Sequence, residues 1–370
     1  MNAMLKFVSI LIFSNCIKYN EKNGVAHINT RYEINTQTKT ANGKSNAGLT
    51  AIDAYSDKRE DISNIIRYLP SNYSIKGDID YTQYLQKAFN ENNTITMPNF
   101  PIAVNFNGIS IPSNRTITFQ QNSVLIVLPN DQPKHQALLV SNARNVKIIN
   151  PNLKGERYQH KNSKGEWGMG INILSSSNII IIKPNIKDFW GDGIYIGRTG
   201  KQMTYCSGVN ISGGVLDNNR RNGISIISGK DVTIENMVIK NTNGTNPMAG
   251  IDLEPNLNDE YLYNINLNNV TTINNKIDGI KVVFHKFTNK NNVLVNIDRH
   301  SDDGSQNPLT LVGVDNVSIG KFTGTLNYTN SKWNNSKSNI RVQRILSPNL
   351  KLNIKQININ GVMMNKSIKK

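Results

Sequence analysis

The sequence predicts an all-β chain folded as a single-stranded right-handed parallel β-helix solenoid with a short N-terminal capping helix. Three observations carry this. Short glycine-led strands recur roughly every 23 to 30 residues, a spacing suited to one solenoid turn. A second series of strands runs out of phase with the first, and helical periodicity is nearly absent from about residue 100 onward.

The elements follow in chain order. Residues 1–16 hold one lysine before Phe7-Val-Ser-Ile-Leu-Ile-Phe13, which reads as a signal-peptide core too short to anchor in a bilayer. Cys16 resembles a lipoprotein cleavage site only loosely, because Asn15 stands where a small residue is expected. Residues 17–74 read as a linker or irregular segment, and 75–370 as the β-helix domain. Asp80-Tyr-Thr-Gln-Tyr-Leu-Gln-Lys-Ala-Phe89 has apolar residues at helical spacing behind an acidic start, so it predicts the helix that covers the exposed first coil.

The glycine-led strands are Gly170-Ile-Asn-Ile, Gly193-Ile-Tyr-Ile, Gly223-Ile-Ser-Ile, Gly250-Ile-Asp-Leu and Gly279-Ile-Lys-Val, followed by Pro308-Leu-Thr-Leu. The second series includes Asn145-Val-Lys-Ile, Asn178-Ile-Ile-Ile, Gly208-Val-Asn-Ile and Asp231-Val-Thr-Ile, and several of these lead into a third short strand. Three alternating strands per repeat bury one aliphatic side each and stack on the next coil. Asn at the turns suits left-handed backbone and stacked amides. The segment Gly155-Glu-Arg-Tyr-Gln-His-Lys-Asn-Ser-Lys-Gly-Glu166 breaks the rhythm, and such an excursion from a regular solenoid is more often functional than a plain turn.

Composition narrows the partners. The 42 Lys and Arg against 26 Asp and Glu give a formal charge of +16, which favours anionic partners. No basic helix, zinc-ligand spacing or RNP-like strand points to nucleic acid. An acidic polysaccharide fits, although a general loading of Lys, Asn and Ile explains the charge equally well. The two cysteines, Cys16 and Cys206, permit at most one bridge.

Asp78-Ile-Asp-Tyr-Thr82, Thr96-Met-Pro-Asn99, Ile111-Pro-Ser-Asn-Arg-Thr-Ile117 and the coils after them resemble the pectin-lyase-like superfamily over roughly residues 75–360. The resemblance implies a right-handed β-helix and one of several activities: inverting glycoside hydrolase, polysaccharide lyase, C5 epimerase, tailspike depolymerase or noncatalytic adhesin. The polygalacturonase Gly-His-Gly and Arg-Ile-Lys signatures are absent, and Trp190-Gly-Asp-Gly193 matches the aspartate motifs only loosely.

The register supplies a site map. With the aliphatic residues inward, one outward row is Asn172, Tyr195, Ser225, Asp252, Lys281 and Thr310, with Glu254 on the next row and Asp192 and Asp278 at the turns entering the face. Asp192, Asp252, Glu254 and Asp278 thus gather on one side as catalytic candidates. Asp252 and Glu254 have Cα atoms about 6.6 Å apart on one strand, Asp278 lies one coil (~4.8 Å) and Asp192 two coils (~10 Å) from Asp252. Glycoside hydrolysis needs two carboxyls at ~5 to 9.5 Å. The structural alternative is that Asp252 pairs with Lys281 while Asp192 and Asp278 cap turns.

Substrate-binding candidates are Trp167, Trp190 and Tyr195 for stacking on sugars, Arg220 and Arg221 for an acidic substituent, Lys281, and His160 and Glu166 from the excursion. His285 and His300 have no evident partner and no metal-ligand spacing appears, so no metal site is expected; no cofactor is required, and calcium through carboxylates is compatible. The expected protein is an exported carbohydrate-active enzyme, secreted, periplasmic or at the cell surface, monomeric or homotrimeric. Its leading activity is glycoside hydrolysis of an acidic or partly acidic polysaccharide, with a uronate lyase or C5 epimerase, a glycan-binding β-helix or a tailspike-type depolymerase as alternatives.

Overall fold

The computed structural model describes residues 64–364 apart from 201–204, 317, 319 and 337, together with four short strands near the start of the chain. It divides into two units, residues 1–60 and 61–370. In the first, Ser9–Ile12 pairs antiparallel with Tyr32–Asn35, and Cys16–Asn20 with Val25–Asn29. The rest of the expected signal segment, residues 1–8 and 13–15, lies outside the described residues.

The second unit is a parallel β-solenoid. One nine-stranded sheet contains the glycine-led strands, and the two other strands of each coil belong to a second, larger sheet. The aliphatic residues stack in continuous inward columns, such as Ile171, Ile194, Ile224, Ile251, Ile280 and Leu309, all fully buried. Each such side chain contributes about 1.5–3 kcal/mol by leaving water, so the chain is held by its length of stacked coils.

The leading glycines have a steric cause. A Cβ on Gly193, Gly223 or Gly250 would stand 2.8, 2.6 and 2.6 Å from the carbonyl oxygen of the glycine one coil on. The row therefore forms a ladder in which each backbone oxygen occupies the place of its neighbour's missing side chain. The turns behave as their composition predicts: Asn114, Asn145 and Asn178 all take positive φ, and the amides of Asn178 and Asn145 each donate to the residue one coil back at 2.8 Å.

The predicted cap helix spans Thr82–Glu91 and buries Leu85, Ala88 and Phe89. Asp80 accepts from the Thr82 backbone N–H and hydroxyl, organising its start. Strand Ile109–Ser110 ends the nine-stranded sheet. There the Gln86 side chain donates to the Ser110 carbonyl at 2.9 Å and accepts from its N–H at 2.8 Å. An amide side chain thus answers the backbone groups that a preceding strand would have paired. No helix follows Glu91 among the described residues, and none is long and apolar enough to cross a membrane.

A polar chain runs through the C-terminal core. The inward column Leu153, Ile186, Leu216, Ile239 changes character at Thr272 and Asp302 and becomes apolar again at Trp333. Trp333 Nε1 donates to the Tyr328 hydroxyl at 2.7 Å, which contacts His300 Nδ1 at 2.7 Å. His300 Nε2 lies 2.7 Å from the Thr272 hydroxyl, which donates to Asp302. With Thr272 donating to Asp302, the ring proton of His300 sits on Nε2 and is donated to Thr272, and Nδ1 accepts from the Tyr328 hydroxyl. Burial lowers the His300 pKa to about 3. The histidine that lacked a partner in the sequence therefore has two.

Candidate active site

The outward row has the register expected of it: Asn172, Tyr195, Ser225, Asp252, Lys281 and Thr310 are successive partners across the glycine-led sheet. The strands Ile194–Gly197, Asn222–Ile226, Ala249–Leu253 and Asp278–Val283 position it.

Asp192, Asp252 and Glu254 belong to one hydrogen-bonded network. Asp192 accepts from the Arg221 guanidinium at 2.9 Å, the Ser225 hydroxyl at 2.7 Å and the Asn222 backbone N–H at 3.0 Å. The Asn222 amide donates to Ser225 at 3.0 Å and to Asp252 at 3.4 Å. Asp192 and Asp252 are thus two intervening groups apart, across two coils. Lys281 then closes the far side, 3.4 Å from Glu254 and 3.9 Å from Asp252. Asp278 stands apart from this network, accepting from Thr310 at 2.6 Å and Asn307 at 2.9 Å. Both donors are side chains of the next coil, so Asp278 ties two coils together.

The acids do not line an open surface, as their gathering on one face suggested. Asp192 and Asp252 are 0% exposed, because Arg221 and Lys281 lean across them from adjacent positions. The groups that reach solvent are Glu254, Tyr195 and the edges of the two cations.

Burial sets the charge states. It pushes the Asp192 carboxyl above its usual range despite Arg221, and raises Asp278 likewise. Burial raises Asp252 well above the usual carboxylate range; Lys281 opposes this and the Glu254 charge reinforces it. Burial works against the Glu254 charge too, but a hydrogen bond with Asp252 and the cations Lys281 and Arg221 bring it below normal. Two neighbouring carboxyls are thus driven apart, Asp252 toward the acid and Glu254 toward the carboxylate. The same carboxylates keep Arg221 protonated against its own burial, and burial raises the Tyr195 hydroxyl.

The excursion folds back over the turns of the following coils. Arg157 donates to the Asn218 carbonyl at 2.7 Å and to the Asn243 carbonyl. Trp190 is stacked against His160 at 4.1 Å and lies 3.7 Å beneath the Arg220 guanidinium. Groups that close cannot share one ring face, so both faces of Trp190 are already occupied. Arg220 also donates to the carbonyls of Gly165 and Trp190. Trp167 is 46% exposed and open to a ligand, one coil before Asp192; Glu166 beside it is partly buried.

The His160 side chain is fully covered, and it meets two residues that sequence reasoning did not assign. Glu156 Oε1 lies 3.0 Å from His160 Nδ1 and 2.7 Å from His135 Nε2. The spacing of Glu156 and His160 within the excursion was a legible signal; His135 comes from the coil before. A depression of about 480 Å³ lies against the cap helix around Gln83, Gln86 and Ser110, away from these groups.

No family model matches the chain. Two curated Bacillus subtilis proteins are similar to it: uncharacterized protein YclG, 33% identical over 160 residues, and SPbeta prophage-derived uncharacterized protein YorA, 32% identical over 162 residues. Each match takes in 40% of this chain, and the chain spans only 27% and 28% of those relatives' lengths. Among solved structures, the Yersinia enterocolitica family 28 exopolygalacturonase superposes with a TM-score of 0.56 at 10% identity, covering 90% of this chain and 71% of that one. A 1,3-α-1,4-β-D-galactose-4-sulfate-3,6-anhydro-D-galactose-2-sulfate 4-galactohydrolase gives 0.54 at 13% identity, covering 71% and 70%. The tailspike of Escherichia coli bacteriophage HK620, in complex with a hexasaccharide, gives 0.54 at 14% identity, covering 85% and 58%. At such identities the likeness speaks to architecture alone: the chain is a right-handed parallel β-helix.

Proposed function

We propose that the chain is a carbohydrate-active β-helix that hydrolyses a glycosidic bond in an acidic or partly acidic polysaccharide lying across the glycine-led sheet. The observation that carries this reading is the placement of two carboxyls two residues apart along the chain in unlike surroundings, Asp252 fully buried and Glu254 partly exposed, with Lys281 at 3.9 and 3.4 Å from them, because carboxyls held in different environments are how one site supplies both an acid and a base. Asp252 holds the proton that the leaving oxygen takes, and Glu254, the partly exposed carboxylate, takes a proton from the attacking water.

Lys281 stands between the pair at rest, 3.4 Å from Glu254 and 3.9 Å from Asp252, and two-carboxylate hydrolysis uses a gap of ~5 to 9.5 Å. A polymer carboxylate that draws Lys281 outward uncovers Asp252 and opens that gap. Trp167 offers a stacking surface for a sugar ring on the same side. The similar structures named for glycan hydrolysis or holding a hexasaccharide support the substrate class. No cofactor is required in this reading, calcium is an optional ligand, and the protein acts after export, with residues 1–16 as its signal segment and 75–370 as its working domain. A lyase or epimerase reading draws its base from Tyr195, His160 or Lys281; burial pushes the Tyr195 hydroxyl up, the His160 side chain is fully covered, and Lys281 is engaged with Glu254.

The test is reducing-end release by the purified full chain on a panel of acidic and neutral polysaccharides. Glu254→Gln is expected to lower the rate about 10²–10⁴-fold while polymer binding persists. A folded wild type that releases no reducing ends overturns the hydrolase. Retained polymer binding in that case supports a noncatalytic glycan-binding β-helix, a reading favoured by the complete burial of Asp192 and Asp252.

A further inference from the structure

We infer that His135, Glu156 and His160 form a site for a divalent transition-metal ion, zinc by the chemistry of its donors, which clips the excursion to the solenoid. The ligand atoms of the three residues all lie within 4.8 Å of one another. Their side chains are 0% exposed. Two imidazoles and one carboxylate are a donor set that suits zinc, with Zn–N and Zn–O distances of about 2.0–2.2 Å. Ligands so placed stand roughly 3.0–3.5 Å from one another, so the present triangle needs only small adjustment.

The hydrogen bonds around the cluster point to a cation at its centre. His135 Nδ1 is 3.1 Å from the Gln132 carbonyl oxygen, which can only accept, so Nδ1 carries the ring proton. In the neutral ring Nε2 then presents a lone pair, and it lies 2.7 Å from Glu156 Oε1, which also only accepts. The contact is not aligned as a hydrogen bond: His135 Nε2 is buried with no hydrogen-bond partner, as are Glu156 Oε2 and His160 Nε2. Three unpartnered buried atoms in one cluster, two facing acceptors among its contacts, and a backbone carbonyl fixing one imidazole from behind are what metal ligation accounts for.

The surroundings hold the ligands in place. Trp190 stacks on the His160 ring at 4.1 Å, and Arg220 clamps Trp190 from its other face. Gly168 leaves room for His135: a Cβ there would fall 2.5 Å from the imidazole Cε1 and Nε2. Glu156 and His160 come from the excursion, and His135 from strand Lys134–Ser141 of the preceding coil. A shared ion ties these two parts together and, through Trp190 and Gly191, steadies the turn that carries Asp192.

The test uses the purified full chain, stripped with a chelator and titrated with Co²⁺, then with Zn²⁺ in competition. The expected result is one Co²⁺ per chain with the visible d–d absorption of a low-coordinate site, displacement by Zn²⁺, and a thermal midpoint that rises with zinc concentration. His160→Ala and Glu156→Gln should each weaken binding by 100-fold or more, since loss of an outer partner alone costs about 10–100-fold. His285→Ala, outside the cluster, should leave binding unchanged. A stripped wild type that gives no cobalt spectrum and retains no zinc after gel filtration overturns the site and leaves the cluster a proton-sharing triad. Equal zinc retention by folded His160→Ala overturns it as well.

Discussion

Replacing Arg221 by Met tests whether the charge network is held together by its buried ion pair. Asp192 is fully buried and the Arg221 side chain is 12% exposed, so little solvent is available to screen the carboxylate once the guanidinium is gone. Removing one partner of a buried pair costs about 3–5 kcal/mol, because the other charge is left uncompensated. Asp192→Asn should cost less, about 1–3 kcal/mol, since Arg221 keeps an edge in water and a hydrogen bond to Ser225 at 3.3 Å. The double variant should then lose less than the two singles added together, with a coupling of roughly 2 kcal/mol or more. Urea unfolding of the four proteins at pH 7 measures the cycle. The Arg221→Met penalty should also shrink on acidification. Burial already raises the Asp192 pKa, and a raised carboxyl contributes stability below its unfolded value, near 3.8, that is lost as pH rises through the folded one. Additivity within about 0.5 kcal/mol, or a penalty indifferent to pH, would refute the reasoning.

Two further outcomes follow from the core. Gly223→Ala places a methyl 2.2 Å from Ile239 Cγ2 and 2.6 Å from the Gly250 carbonyl oxygen; overpacking of this kind costs about 1–3 kcal/mol, and a loss under 0.5 kcal/mol on thermal unfolding would show that the coils slide apart freely. His300 titrates near 3 when folded and near 6.5 when unfolded, so stability should fall as pH drops from about 6.5 toward 3, the unfolded chain binding the extra proton. Wild type should therefore lose denaturant resistance between pH 7 and 5 faster than His300→Gln does, and parallel curves would count against the buried neutral imidazole.

The solenoid was legible because its cause is local and repeated. A glycine followed by alternating aliphatics declares both the inward column and the stacking register, and the row from Asn172 to Thr310 follows directly. The state of the site was not legible, because it depends on side-chain directions. Nothing in the order Asp252, Glu254, Lys281 says that the lysine leans back to cover Asp252, or that Arg221, next to an arginine engaged elsewhere, turns onto Asp192. Asp278 stands two residues before the inward Ile280, one coil on from Ala249, and Asn307 and Thr310 take it. The His135 contact was hidden for a different reason. A residue in an irregular excursion has no fixed register with the coil beside it, so sequence distance carries no information about which histidine it meets.

Gln86 gives the solenoid a polarity in how it can meet its own kind. An extended segment approaching the strand Ile109–Ser110 must first displace a side chain that already makes both hydrogen bonds the newcomer would offer. End-on growth at that face therefore gains no new pairing for the sheet. Any association of these β-helices through the Ile109–Ser110 edge must rest on contacts other than strand pairing.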